Sequence, residues 1–118
     1  MINSICVLIR KVPYGTEDAF AGLKLGLATI ANGMETKVIL MEDGVFNAMK
    51  HQKSEKIHMP SIIDAINDLL SLDVNIYSVL DHLIERGIEK ENLIDEVNFI
   101  DDENISDIVL SCDAITAF

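Results

Sequence analysis

Tryptophan is absent from the 118 residues, and aromatic residues of every kind amount to 5%. The core must therefore rest on Ile, Leu, Val, Ala and Met rather than on large rings. Basic residues are scarce too: 9 Lys and Arg stand against 20 Asp and Glu, a net charge of −11. Such a balance argues against nucleic acid, whose binders need a basic surface to release counterions. It argues equally against an anionic membrane surface. Two cysteines, Cys6 and Cys112, make no disulfide framework in a chain of this size. No apolar run approaches the roughly 20 residues needed to cross a bilayer. The opening MINSICVLIRK lacks a basic leader and a cleavage-like end, so it reads as a first strand rather than a signal peptide. A cytoplasmic protein with neither nucleic-acid nor membrane partners is the expectation.

What is present suits one compact domain over residues 1–118: 49% hydrophobic and 25% charged residues, with room for a single core. The acid is uneven. From Asp81 onward there are 11 Asp and Glu against only Arg86 and Lys90, whereas residues 1–59 carry 7 Lys and Arg with 6 Asp and Glu. The acidic stretch is either a solvated face or a surface for a basic partner.

Residues 4–10 (SICVLIR) form a continuous apolar run, as in a strand covered on both faces. KVPYG breaks the run, and Thr16 can cap a helix bearing Phe20, Leu23, Leu27 and Ile30 that stops at Gly33. Gly22 and Gly26, one turn apart, allow close packing on that helix. A second strand over 36–41 leads to EDGV and a short helix near 46–51. HQKSEKIH reads as a polar loop, after which Pro60 restarts a helix with Ile62, Ile66 and Leu69 on one face. A third strand over 74–78, a helix over 79–86 and a fourth strand over 97–100 follow. Asp101 or Asp102 caps a last helix bearing Ile105, Ile108 and Val109, and 113–118 is the final strand. The alternation predicts a three-layer α/β/α sandwich with a mostly parallel five-stranded sheet and right-handed crossovers.

In that architecture the C-terminal ends of strands one, two and three bring KVPYGT, EDGV and YSV to one edge. The candidate pocket is Tyr14, Gly15, Thr16, Asp43, Gly44, Tyr77, Val79 and His82. KVPYGT is neither G-x-G-x-x-G nor a Walker sequence, so it supports no nucleotide. A tight turn and helix cap explain it as well as an anion site does. His51, His58 and His82 lie on separate elements, and no Cys or carboxylate completes a metal-ligand spacing. No metal and no cofactor are expected. Cys6 reads as a buried strand thiol and Cys112 as a core position, neither in the electropositive setting that activates a thiol.

Five segments together resemble the DsrE/DsrF-like family of sulfur-relay proteins, which includes the TusD, TusC and YchN types. They are VPYGTEDAFAGLKLGLA after the first strand, LMEDGVFNA, HQK, ERGI after the third strand, and the terminal SCDAITAF. The resemblance implies a homo-oligomer (a hexamer built from dimers or trimers) or a sulfur-relay protein partner. Active members place a persulfide-carrying cysteine just after the third strand, eight residues before the glycine of an R-G-[IV] motif. Here that position is Val79. A second cysteine of some members would fall at His82, and a small shift of alignment would put Tyr77 at the first position. None of the three carries sulfur. The resemblance thus implies a subunit of the TusC or DsrF type, with architectural rather than sulfurtransferase function. The other readings are a small-molecule or anion binder using the sheet-edge pocket, and a sulfurtransferase that recruits Cys112 or Cys6.

Overall fold

The computed structural model describes residues 2–14, 17–50 and 61–118. Five strands, β1 (Ser4–Ile9), β2 (Glu35–Leu40), β3 (Asn75–Val79), β4 (Asn98–Ile100) and β5 (Ala114–Ala117), form one sheet in the order β4-β3-β2-β1-β5. Every pairing is parallel. The helices are α1 (Asp18–Ala31), α2 (Ile62–Ser71), α3 (Leu80–Glu85) and α4 (Ile105–Leu110). The first three crossovers step the same way across the sheet, from β1 through β2 and β3 to β4. Right-handedness therefore puts α1, α2 and α3 on one face. The fourth returns from one edge to the other and lays α4 on the opposite face. The result is the expected three-layer sandwich.

The two faces are unequal. On the α1/α2 side, Val7, Ile9, Val38, Leu40 and Ile76 of the sheet meet Leu23, Ile66 and Leu69 in a large buried cluster. Gly22 and Gly26 supply the close approach: a Cβ on Gly22 would lie 3.2 Å from the Ile9 side chain, and one on Gly26 3.4 Å from Leu69. On the α4 side only Cys6, Ile39 and Val79 are fully buried among the described residues, and the residues packed over them remain half-buried. No residue of α4 is itself buried.

Local differences from the sequence reading have physical causes. Instead of a helix near 46–51, a 3-10 helix winds over Glu42–Ala48, directly after β2. The Asn47 side chain donates to Gly44 O and Lys11 O at 2.8 and 2.9 Å, which tightens the winding. Extended backbone then ends it, with Met49 bridged to Leu93. Val79 belongs to β3, so α3 starts one residue later than its apolar pattern implied. Ser61 caps α2 by accepting the Asp64 N–H at 3.1 Å. Neither Asp101 nor Asp102 makes a side-chain cap on the 3-10 turn Asp102–Asn104 or on α4, which has Asn104 at its cap position. The expected cap at Thr16, the 52–58 loop, and Pro60 lie outside the described residues.

Gly44 is the most tightly enclosed of the described glycines. A Cβ there would lie 2.6 Å from the Ile9 carbonyl carbon and overlap its oxygen, and the obstacle is backbone rather than a movable side chain. Gly44→Ala should therefore lower stability by roughly 3 kcal/mol or more, through overpacking and a displaced strand end. Urea unfolding is the check. An alanine variant within experimental error of the parent would contradict this contact.

Candidate functional site

The candidate residues distribute over both sides of the sheet's C-terminal edge. Tyr14 lies on the α1/α2 side, where its hydroxyl accepts the Ile62 N–H at 3.1 Å. Tyr77 and Val79 point to the α4 side, with Val79 fully buried and paired with Ile100. Ser78, between them, faces the other way; its buried hydroxyl has no hydrogen-bond partner among the described residues. Gly15 and Thr16 lie outside the described residues, as do His51, His58 and the HQK segment.

Asp43, Gly44 and His82 come together across the strand ends. Glu42 follows β2 with a φ of 51°, a left-handed conformation costing on the order of 1 kcal/mol for a side chain of this kind. Its N–H is turned toward α3 and donates to His82 Nδ1 at 2.8 Å. An accepting Nδ1 requires a neutral ring with its proton on Nε2, and Nε2 lies 3.4 Å from Asp102 Oδ1. One imidazole on α3 thus links the end of β2 to the turn after β4. Beside it, Arg86 Nε donates to Asp43 Oδ1 at 3.0 Å, while its Nη1 reaches the His82 carbonyl at 3.2 Å. The sequence reading placed His82 near this edge but missed Glu42, Arg86 and Asp102. No sequence signal announces a left-handed glutamate, although the ERGI motif did mark the arginine.

A cavity of about 320 Å³ opens beside the start of α1, lined by Tyr14, Glu17, Phe20, Lys24 and Ile62 among others. The Lys24 ammonium stands 5.6 Å from the Phe20 ring centre. Of the described candidate residues only Tyr14 lines it. No group of three or more His, Cys, Asp or Glu among the described residues could hold a metal ion.

Comparison with known proteins bears on the same elements. The family model described as "DsrE/DsrF-like family" matches residues 3–118. The chain belongs to that family. Among its relatives is a TusC homologue of Aliivibrio fischeri, 27% identical over 99% of this chain and 100% of its own. The intracellular sulfur oxidation protein DsrF of Allochromatium vinosum is 26% identical, with 100% of this chain and 98% of its own covered. The fold is matched by the YchN protein of E. coli, with a TM-score of 0.90, 24% identity and coverage of 99% and 100%. A protein of unknown function from Methanobacterium thermoautotrophicum aligns with a TM-score of 0.73 at 9% identity, over 98% and 97% of the two chains. For this DsrE/DsrF-like chain, no helix among the described residues is long and apolar enough to cross a membrane.

The histidine bridge yields a test. His82→Ala removes the acceptor from the exposed N–H of a left-handed residue and should cost about 1 kcal/mol in chemical unfolding. Asp102→Ala should cost less, because that carboxylate is 58% exposed. No loss for His82→Ala would show that the bridge contributes nothing, and equal losses would show that Asp102 matters as much as the Glu42 N–H.

Proposed function

We propose that this DsrE/DsrF-like chain serves intracellular sulfur relay as an architectural subunit, not as a persulfide carrier and not as a sulfurtransferase. The observation carrying this reading is Val79. It stands at the end of β3, where the family resemblance places the relay cysteine, and its apolar side chain is sealed under the α4 layer. A valine offers no nucleophile. His82, at the position of the second cysteine in some members, is engaged with the Glu42 N–H. The similarity to TusC-type and DsrF-type relatives supports the same reading. After exposure to a persulfide donor, intact-mass analysis should find no stoichiometric one-sulfur adduct on the folded chain. Such an adduct persisting on Cys112 would make the chain a carrier and end the proposal.

The architectural part rests on the thin α4 face. Leu110 is 80% exposed and Ile115 50%, on a side of the sheet covered, among the described residues, by the six-residue α4. A homo-oligomer, or a heteromer with sulfur-relay partners, would bury this apolar surface. Native mass spectrometry should find multiples of 13.1 kDa, or a complex with such a partner. Leu110→Lys should shift the population toward the single chain. Added salt should strengthen association, because it screens the repulsion between copies that each carry −11. A single-chain mass across micromolar concentrations, with no partner found, would count against this role.

The cavity beside Tyr14 favours a second reading, a small-molecule binder, since its volume is at the lower end of known ligand sites. A small molecule retained in the native spectrum, and lost in Tyr14→Ala, would favour it over the architectural role.

A further inference from the structure

Two thiols that the sequence separates by more than a hundred residues meet beneath α4. Cys6 on β1 is fully buried, and its register partners are Lys37 on β2 and Ile115 on β5. Cys112 lies three residues before Ile115 and packs, half-buried, against the cluster that contains Cys6. Two further contacts hold it there. Lys37 Nζ donates to Ser111 Oγ at 3.0 Å, which draws the end of α4 over β2. The Asp113 N–H donates to Ser4 Oγ at 2.9 Å, which ties the following residue to β1. Cys112 is thereby confined above Cys6. Ser111 Oγ lies 3.9 Å from Cys112 Sγ, and the Lys37 side chain is only 18% exposed.

We propose that Cys6 and Cys112 form a dithiol–disulfide couple that reduces sulfur–sulfur bonds in small substrates. Disulfides and persulfides share that chemistry, and only the persulfide as natural substrate rests on the sulfur-relay reading above. The environments assign the roles. In the single chain, with no further copy over Leu110 and Ile115, Cys112 is the reachable thiol, so it attacks first. Cys6 has its pKa pushed up to about 12, by burial first and then by Cys112. A thiol so held is a poor entering nucleophile but is already in place as the resolving one. Lys37 acts in the opposite direction on Cys6, placing a cation where the thiolate must form.

In the first step the Cys112 thiolate attacks one sulfur of the substrate. The sulfur–sulfur bond breaks and the other sulfur leaves as a thiolate. Cys112 is left in a mixed disulfide or, when the outer sulfur of a persulfide is attacked, as Cys112–S–SH. Cys6 then attacks Cys112 Sγ, and the departing thiolate or hydrosulfide takes up the proton Cys6 loses. Two protein thiols have been oxidised to one disulfide. The substrate has been reduced to two thiols, or to one thiol and hydrogen sulfide. A sulfur reaching Cys112 is therefore discharged rather than stored.

The test treats the reduced full-length chain with oxidised glutathione and, separately, with glutathione persulfide, then alkylates it for intact mass and non-reducing peptide mapping. The expected result in both arms is loss of both alkylatable thiols, no retained adduct, and a peptide linking Cys6 to Cys112. Cys6→Ala should accumulate glutathione or one extra sulfur on Cys112, because nothing resolves it, whereas Cys112→Ala should leave Cys6 unmodified. A stable adduct on Cys112 with Cys6 still free in the unaltered chain would overturn the couple. So would two free thiols in the unaltered chain after both treatments, a result that needs no variant to fold. A linked peptide from oxidised glutathione alone supports the couple and removes persulfides from its substrates.

Discussion

A parallel sheet has to be covered on both faces, because its strands are apolar on both. This chain places α1 and α2, of 14 and 10 residues, on one face and the six residues of α4 on the other. The inequality follows from the strand order. Three crossovers advance in one direction and stack their helices together, leaving one return crossover for the far side. Apolar exposure at Leu110 and Ile115 and the meeting of the two thiols both descend from that single return.

Polar groups at the C-terminal edge tie strand ends together. The Glu42 N–H, His82 and Asp102 join the end of β2, the helix after β3 and the turn after β4. Arg86 adds a partly exposed ion pair to Asp43, worth little energy by itself but consistent in direction. Such a network holds the strand ends in a fixed relation.

The thiol pair lies elsewhere, toward the beginnings of β1 and β5. Chemistry at that location does not need the strand-end geometry that the family resemblance emphasises. It needs only two sulfurs held together with different accessibility, which the buried strand and the half-buried residue after α4 supply.

Much of the fold was legible because period and punctuation agree along the chain. The run SICVLIR, the helical spacing from Phe20 to Ile30 and the stop at Gly33 each specify an element locally. The family resemblance was legible for a similar reason, since its five segments keep their order. Local signals could not specify which groups at the strand ends would pair. The left-handed turn at Glu42, the use of Asp102 toward His82 instead of a helix cap, and the 3-10 winding at Gly44 depend on distant groups. The two cysteines make the same point: each read alone is an ordinary core thiol. Their meeting depends on β5 pairing with β1, a contact between chain ends that only the folded topology decides.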